Sequence, residues 1–128
     1  MTPEGLRYTK DHEWAKKDGD TIIVGVTHYA QDQLGDVVFV ELPAVGRTVE
    51  AGQSFGVIEA VKTVSDLYAP VAGEIVEVNG ELAGQPALVN QAPYEGGWMI
   101  KLKPANATDL DRLLDAAAYK QLLEAHHA

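Results

Sequence analysis

Between Thr21 and Lys103 the chain is a succession of short β-branched runs, each cut off by Gly, Pro or an Asn-Gly pair. Thr21–Val26 follows the turn Lys17-Asp18-Gly19-Asp20, so the segment before that turn is expected to pair with it as a hairpin. Residues 36–42 stop at Pro43, and residues 54–60 and 63–68 flank a single lysine. Residues 73–78 run into Asn79-Gly80, and residues 98–103 alternate so that Ile100 and Leu102 share a face. Short strands broken this often argue for an all-β barrel or sandwich.

Two helical pieces interrupt the pattern. Residues 27–34 open on Thr27, whose hydroxyl suits an N-cap, and stop at Gly35. The second is predicted over residues 108–124, with Thr108 and Asp111 at capping-box spacing. Its apolar face is Leu110, Leu113, Leu114 and Ala117, continued by Tyr119, Leu122 and Leu123 after a break near Asp115. This helix is expected to pack on the β body as a lid. With 128 residues the chain is read as one domain over 1–128, large enough to bury a core without staples. One internal echo stands out: residues 46–52 parallel residues 73–79, with Gly46, Val49 and Glu50 matching Gly73, Val76 and Glu77. If it records a duplication, two similar half-sheets meet near residue 62.

Lys62 lies at that midpoint, and it is the one lysine or arginine between Arg47 and Lys101. A primary amine at a hairpin tip is either a solvated turn residue, as most surface lysines are, or a presented attachment point. Composition narrows the choice indirectly. There is no cysteine, which removes disulfides, thiolate metal sites and cysteine nucleophiles. The net charge is −9 with scattered cations, so no basic face is available for nucleic acid or an anionic membrane. No apolar run approaches the ~20 residues of a membrane helix. Met1-Thr2-Pro3-Glu4-Gly5 has neither a signal-peptide core nor an arginine-rich transit sequence, so a cytoplasmic protein is expected, or a mitochondrial-matrix one if a presequence was removed.

A catalytic set is equally hard to find. Ser54 and Ser65 are the only serines, and neither sits in a Gly-x-Ser-x-Gly elbow. His12, His28, His126 and His127 include no pair at i, i+4, and the terminal two read as a frayed tail, so no metal centre is expected. Glu59 and Asp66 flank the hairpin but read as a solvated face rather than an acid–base dyad. A β scaffold without visible catalytic residues fits a carrier better than an enzyme.

The ordered matches extend over almost the whole chain. They begin with Tyr8-Thr9-Lys10-Asp11-His12-Glu13-Trp14 and continue through Val24-Gly25-Val26-Thr27, Leu34-Gly35-Asp36-Val37-Val38-Phe39-Val40 and Leu42-Pro43. Their centre is Glu59-Ala60-Val61-Lys62, followed by Ser65-Asp66-Leu67-Tyr68-Ala69-Pro70 and Gly73-Glu74. Leu88-Val89-Asn90, Pro93-Tyr94 and Gly97-Trp98 close the series. In these residues the chain resembles the H-protein family of the glycine cleavage system, the lipoyl carriers.

The resemblance implies a hybrid barrel-sandwich of the lipoyl and biotinyl carrier type, all-β dominated, with a short internal helix and a C-terminal helix. It implies lipoate in amide linkage on Lys62, with Glu59 and Gly73 recognised by the lipoate-attaching enzyme. It also implies a shuttle among three enzymes. A pyridoxal-phosphate glycine decarboxylase leaves an aminomethyl group on the arm; a folate-dependent aminomethyltransferase removes it; a flavin dihydrolipoyl dehydrogenase reoxidises the dithiol with NAD. Ala60 departs from the serine the family often carries there. A labile load calls for a cleft on the carrier, expected near His28, Glu59, Asp66 and residues 88–90, including Asn90. Rival readings are a biotin carrier, a lipoyl domain of a 2-oxo acid dehydrogenase, a lipoyl donor for other enzymes, and an unmodified binding module. Val61 and Thr63 stand where biotin carriers have methionines, and the long C-terminal segment exceeds a dehydrogenase lipoyl domain.

Overall fold

The computed structural model of the chain describes residues 3–106 and 108–127; Met1 and Thr2, part of the opening stretch read above, lie outside them. Arg7–Tyr8 (β1), Glu13–Asp18 (β2) and Thr21–Val26 (β3) lead into the helix His28–Leu34 (α1). Val37–Glu41 (β4), Thr48–Val49 (β5), Ser54–Ala60 (β6), Val64–Tyr68 (β7) and Gly73–Val78 (β8) follow. Two single turns of helix, Glu81–Gly84 (α2) and Leu88–Gln91 (α3), precede Ile100–Pro104 (β9), a 3-10 turn Asp109–Arg112 and the helix Ala116–His127 (α4).

The strands form two antiparallel sheets, one ordered β1-β2-β3-β9-β8-β5 and one ordered β4-β6-β7. Alternation decides which side chains meet between them: Ile22 and Val24 of β3, Ile75 of β8 and Ile100 and Leu102 of β9 face Val40, Ile58 and Leu67 of the smaller sheet in one buried cluster. The architecture is the expected all-β-dominated barrel-sandwich with added helices. The echoed stretches lie side by side, since β5 and β8 pair antiparallel with Thr48 opposite Glu74 and Val49 opposite Gly73.

Local signals set α1. The Thr27 hydroxyl accepts the Ala30 N–H at 3.2 Å, and Gly35 ends the helix at φ +82°, a backbone glycine adopts without a Cβ penalty. The C-terminal segment differs from the continuous helix expected over 108–124. Thr108 does not cap; its hydroxyl donates to Asn106 Oδ1. Leu114 is instead extended and pairs with Tyr8 (Tyr8 N–H to Leu114 O 2.7 Å, Leu114 N–H to Tyr8 O 2.9 Å), so helix cannot pass through it. The helix restarts where Asp115 Oδ1 accepts the Ala118 N–H at 2.8 Å, and it runs through His126 and His127, read above as a frayed tail. Ala116 and Tyr119 of α4 then bury against Tyr8 and Trp14 in a second, aromatic cluster. Trp14 lies over Gly25, where a Cβ would come within 2.8 Å of the indole, and its Nε1 donates to the Pro93 carbonyl at 2.9 Å.

Candidate functional site

β6 and β7 form the hairpin that carries Lys62, with Val57 opposite Asp66, Ile58 opposite Ser65 and Glu59 opposite Val64. The Ala60 N–H donates to the Thr63 carbonyl at 2.8 Å and leaves Val61-Lys62 as the two-residue tip. Two-residue hairpins usually need residues with positive φ, yet among the described residues His12 is the one non-glycine with positive φ. The tip is held from the neighbouring strand: the Val61 N–H donates to the Asp36 carbonyl at 3.0 Å.

Lys62 is exposed, and its stem lies along the glycine that ends α1; a Cβ on Gly35 would stand 3.0 Å from Lys62 Cε. Among the described residues no ion pair or hydrogen bond engages the Lys62 amine. Apolar side chains surround the tip and face outward: Val61 is 75 % exposed, Val64 61 % and Phe39 46 %. Phe39, Glu59 and Val64 form one cross-strand row, so Glu59 lies on the outward face of the hairpin sheet.

Asn90 sits beneath this tip as a clamp. Its Nδ2 donates to Gln31 Oε1 (3.0 Å) and the Gly35 carbonyl (2.8 Å), while its Oδ1 accepts the Val37 N–H (2.9 Å). One side chain thereby ties the end of α1 to the start of β4. His28 shares a groove with Asn90, Pro93 and Tyr94; its backbone N–H donates to the Tyr94 hydroxyl at 2.9 Å. Asp66 lies elsewhere, in a cleft of about 170 Å³ on the other side of the helix, lined also by His12, Glu13, Tyr29, Leu34 and Ser65. The residues expected to form one cleft are therefore divided between two. Gly73 belongs to the other sheet, where a Cβ would run into the Lys103 carbonyl oxygen, so the close approach of β8 to β9 itself demands glycine.

Glu13 is the residue in this cleft that sequence reasoning missed. It is 2 % exposed, its Oε1 accepts from the Thr9 hydroxyl at 2.6 Å, and its Oε2 accepts the Tyr68 N–H at 3.3 Å. Burial outweighs both hydrogen bonds and pushes its pKa up to about 8, so the cleft wall favours the protonated acid. The one sequence hint was a glutamate wedged against Trp14 in a stretch otherwise reading as strand. No group of His, Asp or Glu able to hold a metal ion occurs among the described residues, and no helix there is long and apolar enough to cross a membrane.

Comparison with known proteins agrees over nearly the full chain. The family profile described as Glycine cleavage H-protein matches residues 6–126. The glycine cleavage system H protein of Thermus thermophilus is 62 % identical over 122 residues, 95 % of each chain. That of Bacteroides fragilis is 58 % identical over 123 residues, 96 % of this chain and 98 % of the relative. The crystal structure of a glycine cleavage system H protein from Mycobacterium marinum superposes with a TM-score of 0.87 at 43 % identity, covering 95 % of this chain and 98 % of that one.

Proposed function

The chain belongs to the glycine cleavage H-protein family, and from that premise we propose that Lys62 is the residue through which it bears lipoate. Its role is that of a lipoyl-bearing shuttle in the glycine cleavage system. The observation that carries the choice of Lys62 is its position: an exposed amine at a two-residue tip, engaged by no neighbour among the described residues. The chemistry fits the group. Amide formation removes the lysine charge and leaves a long flexible stem. When attached, lipoate supplies a disulfide–dithiol couple able to take up a one-carbon unit and two electrons, chemistry a chain without cysteine lacks.

The residues around Lys62 then have separable tasks. The Val61–Asp36 bond and the Asn90 clamp hold the base of the tip while the lysine stem stays free. A rigid base with one mobile arm raises the arm's effective concentration at each enzyme it visits. Leu34 lines the cleft that holds Glu13 and Asp66, and the adjoining Gly35 lies under the Lys62 stem, so the cleft adjoins the root of the arm. We assign the cleft of His12, Glu13, Tyr29 and Asp66 as the resting place of the loaded arm, and we assign the His28–Asn90 side to support of the tip. Glu59, on the outward face beside the tip, is accessible to the attaching enzyme; Gly73 answers a packing demand as well as any recognition role.

The partners proposed are the pyridoxal-phosphate glycine decarboxylase, the aminomethyltransferase, the dihydrolipoyl dehydrogenase and a lipoate-attaching enzyme. The carrier itself performs no catalysis, and a cytoplasmic location is proposed on the strength of the bacterial relatives. Intact-mass measurement after expression with lipoate tests the central assignment. A gain of one lipoyl group is expected, and it is expected to vanish in Lys62→Ala while the unfolding midpoint stays within the small range of surface substitutions. A lipoyl gain that persists in Lys62→Ala sinks the assignment.

A further inference from the structure

We propose that Tyr119 is a positioning residue through which the C-terminal helix fixes His12 in the wall of the cleft beside the Lys62 hairpin. The proposal deepens the cleft reading above and rests on it.

His12 needs holding. Its φ is +69°, a left-handed conformation uncommon for a residue with a side chain and retained where the surroundings over-determine it. Its N–H donates to the Thr9 carbonyl at 3.1 Å, and its own carbonyl accepts the Thr27 N–H at 3.0 Å. The ring is gripped as well: Nδ1 lies 2.8 Å from the Tyr119 hydroxyl, and the ring rests at 4.7 Å, tilted, on Tyr29. Both His12 and Tyr29 line the cleft.

Tyr119 reaches the second wall through the same atom. Its hydroxyl is also 2.8 Å from Thr27 Oγ1, and Thr27 caps the helix that contributes Tyr29, Ala30, Gln33 and Leu34 to the cleft. The Tyr119 ring is fully buried and stacked on Tyr8, with centroids 4.6 Å apart and planes 7° from parallel. Stacking of that kind would be served by phenylalanine. A buried hydroxyl is unfavourable unless it is bonded; one bond of this one goes to His12 in the cleft wall and the other to Thr27, which caps the helix lining that cleft. One proton order serves all three groups: Thr27 Oγ1, which accepts the Ala30 N–H, donates to the Tyr119 hydroxyl, and Tyr119 donates to His12 Nδ1. The proposal takes that order, in which His12 carries its ring proton on Nε2.

The test uses the full chain with Tyr119→Phe, which keeps the stack and removes the hydroxyl, and His12→Asn, which tolerates left-handed backbone. In the unmodified protein, ring 15N shifts of His12 report the tautomer: the Nε2–H form is expected in the parent and a mixture in Tyr119→Phe. In the lipoylated protein charged by the glycine decarboxylase, the lifetime of the one-carbon load is read as formaldehyde release. Tyr119→Phe and His12→Asn are each expected to shorten it about five-fold, the factor set by one net hydrogen bond. The double variant is expected to be no worse than either, because the two act as one unit. Lipoyl mass gain on Lys62 stays complete in all of them. If the parent loses its load as fast as a lipoyl-lysine peptide does, the cleft reading falls and the proposal with it. If the parent protects its load and Tyr119→Phe protects it equally, or if the lifetime shortens while the ring spectrum is unchanged, the proposal alone is overturned.

Discussion

At the Lys62 tip valines and a phenylalanine face solvent, whereas under α4 even tyrosine hydroxyls are buried. The two regions solve opposite problems. The smaller sheet, ordered β4-β6-β7, presents a charge-bearing tip with an apolar surround, the tip proposed above to carry the arm. The cluster under α4 packs Tyr8, Trp14, Ala116 and Tyr119 together so that hydroxyl and indole groups find partners. An exposed apolar patch around a reactive side chain marks an interaction surface; a satisfied buried polar network marks a part that holds one conformation. The carrier thus joins a surface built to be visited to a base built not to move.

The largest effect that separates these regions is expected at Trp14. Trp14→Ala removes a buried indole and its bond to Pro93, and is expected to lower unfolding free energy by about 3–5 kcal/mol in urea titration. Lipoylation of Lys62 under native conditions is expected to persist in that variant; its loss would mean that the two regions are not independent.

An intermediate effect belongs to Glu13, which lies between the regions. The native state holds a proton on Glu13 up to about pH 8, whereas the unfolded chain releases it near the ordinary 4.5. Raising the pH through that window therefore favours unfolding. The parent is expected to lose stability between about pH 5 and about pH 8.5, and Glu13→Gln, which cannot ionise, is expected to show a flatter profile in the same urea series. Parallel profiles would place Glu13 in a wetter site than its 2 % exposure suggests.

The smallest effect is expected at Val64, 61 % exposed beside the tip. Val64→Ser is expected to change stability by no more than about 0.5 kcal/mol. A larger loss would show that the apolar surround stabilises the hairpin itself.

The hairpin and its lysine were legible because each signal is short-range: alternation gives the strands, and a single cation among apolar residues gives the tip. Thr27 and Gly35 were legible as caps for the same reason. The C-terminal helix was misjudged at its start because Leu114 is claimed by Tyr8, a partner 106 positions away that helical spacing cannot register. The four-residue helices α2 and α3 are too short to show a period. The expected cleft was divided because His28 at the start of α1 lines the groove with Asn90, whereas Tyr29, Ala30, Gln33 and Leu34 of the same helix line the cleft that holds Asp66, a consequence of packing.

By itself the sequence determined the seven longer strands of the described residues, the ends of α1, the family and the lone lysine at the hairpin tip. All of these depend on residues within a turn or two of each other, or on ordered matches along the chain. Only the tertiary structure decided that burial raises the Glu13 pKa, that His12 holds a left-handed backbone, and that Tyr119 reaches both His12 and the cap of the helix beside it. Burial and hydrogen-bond partners come from segments brought together by folding, here a tyrosine and a histidine 107 residues apart, and no local pattern records them.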